Sequence, residues 1–374
     1  MEPDLDVPDD APLPGTFRTV FRTYEVRESE EELVYVGEPL AAGEDIVETV
    51  WPLFREAGYE VSLDRRLGEY VLVATPHGTA DEGVPWRNVA LLLLTVLTTV
   101  YAGTGWYYVR DPLSPEILQA LPFALAVMTV LGTHELGHYL ASRYYDVEAS
   151  LPYFIPMLPP IGTMGAVIRM RGRIPDRRAL FDIGVAGPLA GLVATIVVTA
   201  VGLALSPIAV PAWVFDSGAI SVKFGYPLLM RAIAAAMGEP LTYEAADRVL
   251  NPIVLGGWVG MFVTFLNLIP VGQLDGGHLV RAMIGPRQET VSAAVPAGLF
   301  GLAGYLYVVE NAGSGAGIWV FWGLLTLVFA YVGSATPVHD REPLGLRRQL
   351  VGLATFGLGA LCFMPVPIQI VAVS

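Results

Sequence analysis

The chain has 374 residues, 53% hydrophobic and only 16% charged, against about a quarter charged in an ordinary soluble domain, so it reads as an integral membrane protein. A net charge of −14 without a basic stripe excludes nucleic-acid partners. The single cysteine, Cys362, excludes an internal disulfide and a cysteine-built metal site. The first 86 residues hold 20 of the 36 acids, and the whole chain has one lysine, Lys223. An acidic, nearly lysine-free surface points to a prokaryotic source living in high salt, a halophilic archaeon.

Residues 1–16 are acidic and Pro-rich (Glu2, Asp4, Asp6, Asp9, Asp10) and read as a disordered tail. No basic stretch precedes an apolar one there, so no cleavable signal peptide is expected. Residues 17–86 read as a small α/β domain. Leu33-Val34-Tyr35-Val36, Glu60-Val61-Ser62-Leu63 and Tyr70-Val71-Leu72-Val73 have strand character. Between the first two, Ile46, Val47, Val50, Trp51 and Phe54 fall at helical spacing. This domain carries no catalytic motif, which suits a regulatory or gating module.

Residues 87–374 are mostly apolar. Spans of about 20 residues suit a bilayer, and they fall near 88–108, 119–142, 181–205, 251–270, 291–309, 316–334 and 349–365. The fold class expected is therefore a mainly α, polytopic membrane protein with about six to seven transmembrane helices and a small N-terminal α/β soluble domain. Arginines crowd the connections after the second span (Arg143, Arg169, Arg171, Arg173, Arg177, Arg178), the fourth (Arg281, Arg287) and the sixth (Arg341, Arg347, Arg348). The opposite side holds only Arg110, Lys223, Arg231 and Arg248. The positive-inside rule then places a multi-pass chain in the cell membrane with its N-terminus in the cytosol.

The second span contains His134-Glu135-Leu136-Gly137-His138, an H-E-x-x-H spelling. On a helix, positions i and i+4 share one face, so the two imidazoles can meet one metal ion. Glu135 lies beside them as a base for an activated water. Ionisable groups within a span are costly and mark functional sites by default. Zinc asks for a third protein ligand and one open position. Asp275 supplies an oxygen donor at the end of the fourth span, where Pro270 stops the helix and Gly276-Gly277 permits a tight turn. His278 could also reach the metal and is read as an outer or structural residue.

The stretch from Ser150 to Met170 is too Pro-rich for a helix and too apolar for a free loop. A re-entrant loop followed by a strand over 165–170 suits it. The edge of that strand, at Gly165, Ala166, Val167 and Ile168, could pair with an unwound substrate helix.

These residues resemble the site-two protease family of intramembrane zinc metalloproteases. In that family an H-E-x-x-H helix and an N-x-x-P-x-x-x-x-D-G segment come from separate spans. Here Asn267, Pro270, Asp275 and Gly276 match the second segment, and Ala186-Gly187-Pro188 matches an A-G-P turn of the intervening span. The resemblance covers about residues 119–285 as a catalytic core and is similar to the PDZ-less branch of archaeal and plastid members. It implies one Zn2+ per chain, held by His134, His138 and Asp275, with Glu135 catalytic and Asn267 stabilising the oxyanion or the substrate backbone. It further implies cleavage of a transmembrane protein substrate within the lipid bilayer, as in regulated intramembrane proteolysis. The competing reading is a catalytically silent membrane protein that binds metal or holds substrate. Asp182, which stands where many relatives have Asn, is assigned no role.

Overall fold

A computed structural model describes residues 7–29, 32–76, 84–216, 220–245 and 247–372. The chain divides into two compact units. The first comprises residues 1–84 together with two short segments, Gly172–Asp176 and Pro337–Glu342.

In the first unit β1 (Phe21–Glu28), β2 (Leu33–Pro39), α1 (Gly43–Glu56), β3 (Tyr59–Arg66) and β4 (Glu69–Pro76) follow in order. The strands form one antiparallel sheet in the order β1-β2-β4-β3. The apolar stripe of α1 (Ile46, Val47, Val50, Trp51, Phe54) is buried against Phe17, Phe21, Tyr35, Val61 and Leu72, as an amphipathic helix over a sheet requires. β1 went unread in the sequence, because its inward positions alternate with Arg22, Arg27 and acids. The tail reading needs correction where it can be seen. Ala11 is buried, and the Tyr35 hydroxyl donates to the Pro12 carbonyl at 2.9 Å, so residues 7–16 lie against this sheet. Residues 1–6 are outside the described residues. The two inserted segments belong to this unit through specific bonds. The Arg173 amide donates to Glu60 Oε1 at 2.8 Å, and His339 Nδ1 lies 3.2 Å from Glu48 Oε1.

The second unit begins with α2 (Trp86–Trp106) and α3 (Leu121–Tyr144). Four short strands follow: β5 (Glu148–Ala149), β6 (Tyr153–Pro156), β7 (Thr163–Val167) and β8 (Met170–Arg171). β6 pairs with β7 and β5 with β8, both antiparallel. The chain continues through α4 (Arg177–Ala204), β9 (Ile208–Ala209), α5 (Ala212–Asp216), β10 (Ile220–Phe224), α6 (Leu228–Met237) and β11 (Arg248–Val249). It ends with α7 (Ile253–Asn267), α8 (Asp275–Ile284), α9 (Gln288–Val308), α10 (Gly313–Val332), α11 (Leu346–Leu361) and β12 (Ile368–Ala372).

Five helical stretches among the described residues are long and apolar enough to cross a membrane: 86–106, 115–144, 177–204, 275–308 and 315–332. The protein is mainly helical and suited to membrane insertion. The expected spans near 251–270 and 349–365 are helices of only 15 and 16 residues. Pro270 stops the first just beyond Asn267, and Pro365 and Pro367 follow the second. The fourth stretch, 275–308, is longer than the expected span near 291–309 because α8 runs on into α9 through one short 3-10 turn.

Helices α3, α4 and α7 pack closely because small residues face one another. A Cβ on Gly137 of α3 would stand 2.6 Å from the Ala186 carbonyl oxygen of α4. One on Gly257 of α7 would stand 2.1 Å from Thr199 Oγ1. Helices inside lipid gain little from apolar contact alone, so such close backbone approach supplies the packing energy. It also brings the polar faces of α3, α4 and α7 to one point.

Candidate active site

The α3 helix turns His134, Glu135 and His138 inward, each no more than 6% exposed. His138 Nδ1 lies 2.8 Å from the carbonyl oxygen of Ile183 on α4. The carbonyl can only accept, so Nδ1 carries the proton and Nε2 keeps a free lone pair. His134 and His138 bring their Nε2 atoms to 3.2 Å from one another.

Asp275 joins them from the first turn of α8. Its Oδ2 is 3.1 Å from His134 Nε2 and its Oδ1 is 3.2 Å from His138 Nε2. A carboxylate at a helix N-terminus is favoured by the unpaired amides there. The sequence reading put the tight turn at Gly276-Gly277, and the structure moves it. Both glycines lie inside α8, and the positive φ of 51° is at Gly272. Gly276 and Gly277 serve close approach instead, since a Cβ on either would meet the carbonyl oxygen of Leu268 or Gly272 within 2.3 Å.

His134, His138 and Asp275 form a group able to hold a metal ion. A tetrahedral zinc with bonds of about 2.0–2.1 Å has ligand-to-ligand edges of roughly 3.3 Å. The three observed separations of 3.1–3.2 Å have that size, and two imidazoles with one carboxylate are a donor set zinc accepts. Asn267, the last residue of α7, places its amide 3.2 Å from His134 Nε2, at the rim of the same cluster.

A cavity of about 140 Å3 opens onto these atoms. Ala166, Val167 and Ile168 line one side of it, and the Ile168 backbone amide faces the Glu135 carboxylate. Gly165, named with them from the sequence, sits one step away and is not part of the lining. The strand itself is shorter and earlier than expected, Thr163–Val167 in place of 165–170. Among the described residues β7 is paired only with β6, so its other edge is open. His278 lines the cavity but stands outside the three-ligand group.

Two features escaped the sequence. Ala186-Gly187-Pro188 lies within α4 and makes no turn, because the helix accommodates Pro188 without breaking. Gly187 and Gly191 leave room for the ligand rings: a Cβ at Gly187 would sit 2.0 Å from His138 Nε2, and one at Gly191 would sit 2.9 Å from His134 Nδ1. Asp182, left without a role, is held by both nitrogens of the Arg348 fork at 2.9 and 2.7 Å and accepts a hydrogen bond from the Tyr145 hydroxyl. It immediately precedes Ile183, the residue that orients His138. The signal available was a carboxylate within an apolar span, which calls for a named partner.

Apolar helices that enclose an H-E-x-x-H pair and a distant aspartate define a membrane-embedded metallopeptidase architecture. Residues 122–305 match Peptidase family M50, and the chain belongs to that family. It is similar to two proteins named probable zinc metalloprotease EGY1, chloroplastic. The Arabidopsis thaliana protein is 34% identical over 68% of this chain and 44% of its own length. The Oryza sativa subsp. japonica protein is 31% identical over 74% of this chain and 50% of its own. A probable zinc metallopeptidase EGY3 of Arabidopsis thaliana is 25% identical over 87% of this chain and 56% of its length. The chain thus spans about half the length of these relatives. No solved structure matches. These relatives are plant chloroplast proteins, and they lend no support to the prokaryotic, high-salt source expected from composition.

Proposed function

We propose that this chain is an intramembrane zinc endopeptidase, a PDZ-less member of its family, that cleaves transmembrane segments of protein substrates within the lipid bilayer. The observation that carries this reading is the meeting of His134, His138 and Asp275 within 3.2 Å beside a buried Glu135, inside apolar helices. One Zn2+ per chain, held by those three residues, would supply Lewis acidity toward a carbonyl and acidify a water. Glu135 accepts the proton of the attacking water and returns it to the leaving amine nitrogen. Glu135 lines the cavity together with Ala166, Val167 and Ile168, which sets the base on the side lined by β7. Asn267, against His134 Nε2, is placed to donate to the oxyanion or to hold the substrate backbone.

A peptide bond inside a helix is shielded from attack. The open edge of β7 offers main-chain partners to a substrate that unwinds, with Gly165, Ala166, Val167 and Ile168 as the receiving segment. The arginine-rich connections favour the N-terminal unit, residues 17–86, on the cytosolic side as a regulatory module, and residues 87–374 as the membrane protease domain. The decisive comparison uses purified Glu135→Gln. It should bind zinc in the same ratio as the parent chain, leave a transmembrane substrate uncut and retain it as a trapped complex. Undiminished cleavage would reject the assignment of the base.

A further inference from the structure

A second cavity, of about 570 Å3, lies at the end of α7 remote from Asn267. Its lining includes Trp258, nine residues before Asn267, or about 14 Å along a helix. It is therefore separate from the metal cluster. The floor is apolar: Met230 and Trp258 are at most 1% exposed, with Val254 and Leu255 beside them. Trp106 and Phe224 continue the wall, their ring centroids 5.4 Å apart, and Phe224 stands 4.9 Å from Trp258. The rim is cationic. Lys223 and Arg248 line it, both are exposed, and no described carboxylate pairs with either. Among the described residues no Asp or Glu lines the cavity. In a chain of net charge −14 its sole lysine stands here.

An apolar, aromatic floor beneath two unpaired cations selects a ligand with the opposite plan, a hydrocarbon tail and an acidic head. The size lies within the range of ligand cavities, roughly 300–1,000 Å3. α2 ends at Trp106, so the rim stands at the end of a membrane-capable helix, where aromatic and basic side chains meet lipid headgroups. We propose that this cavity binds an anionic phospholipid, with one acyl chain against Met230 and Trp258 and the phosphate between Lys223 and Arg248. The site does not depend on the proteolytic reading, since none of these residues touches the metal cluster.

Native mass spectrometry of the full chain in detergent tests this with phosphatidylglycerol, phosphatidylcholine and oleate as separate probes. Two cations at about 1 kcal/mol each correspond to about thirty-fold. Phosphatidylglycerol should therefore be retained about thirty-fold more strongly than phosphatidylcholine, and Lys223→Gln/Arg248→Gln should erase the difference. Unchanged zinc content in that variant would show an intact fold. A photoreactive acyl chain should label Met230. Equal retention of the two phospholipids, undiminished phosphatidylglycerol binding by the double variant, or labelling confined to other surfaces would overturn the proposal. Oleate held in place of phosphatidylglycerol would overturn the phospholipid assignment and put a free fatty acid there. A transmembrane substrate cross-linked to Met230 with no lipid retained would make the cavity a peptide subsite instead.

Discussion

His138 and Ile183 are joined by one hydrogen bond of 2.8 Å, from the imidazole Nδ1 to a main-chain carbonyl on α4. That bond decides which ring nitrogen is left for a metal, and it depends on where α4 lies. Asp182, the residue before Ile183, fixes that place through Arg348 of α11 and Tyr145. The coordination geometry is thus supported from a helix far along the chain. Ligand-orienting contacts of this kind change metal affinity or activity by about 10- to 100-fold.

Arg348→Ala should accordingly lower zinc affinity and turnover by about ten-fold. Arg348→Lys should recover only part of the loss, since an ammonium cannot reproduce the two-pronged contact with Asp182. Competition titration with a chromogenic chelator reads the affinity. Parent-like affinity in Arg348→Ala would remove Asp182 from the support of His138.

Gly187→Ala should abolish metal binding, because its methyl would stand 2.0 Å from His138 Nε2. Gly191→Ala, with 2.9 Å to His134 Nδ1, should be milder. Gly298→Ala is the control: nothing lies within 4 Å of its added Cβ, and alanine in a helix interior is favoured over glycine by about 1 kcal/mol. Zinc per chain by elemental analysis should fall in the order Gly298→Ala, Gly191→Ala, Gly187→Ala.

Removal of metal should also lower stability. A ligand at a hundred times its dissociation constant stabilises the folded state by about 2.7 kcal/mol, so chelation should lower Tm, and added zinc should restore it. Asp275→Ala should show the lower Tm from the start and respond to neither treatment. His278→Ala should behave like the parent chain, since His278 lines the cavity outside the ligand group. A zinc-independent Tm in the His278 variant would enlarge the ligand set.

Ile168→Pro removes the amide that faces Glu135. An amide dipole turned toward the base favours its charged form, so cleavage should drop while zinc stays bound. Ile168→Ala keeps the amide and should stay near parent activity. Equal losses in the two variants would assign the effect to the side chain.

The i, i+4 spacing of His134 and His138 and the late Asp275 were legible because local periodicity and a charge within an apolar stretch need no knowledge of packing. The α1 stripe and β2, β3 and β4 were legible for the same reason. The support for the site was not. Arg348 lies 166 residues from Asp182, and such a pairing leaves no periodic trace. Gly187 reads in sequence as part of an A-G-P turn, and only the position of the His138 ring shows what it must admit. The helix lengths within the expected spans were not legible, because hydropathy does not show that α7 stops after 15 residues.

The ligand set is split by 141 positions, His134 and Asp275 being its extremes of contact. A nascent chain delivered into the bilayer from its N-terminus carries both histidines and Glu135 long before Asp275 is made. Throughout that interval the donor set is one short, and α8, which presents the aspartate, does not exist. The three-residue group is therefore completed only when α8 has been made. Any chemistry that needs all three ligands is withheld from neighbouring nascent spans until that point.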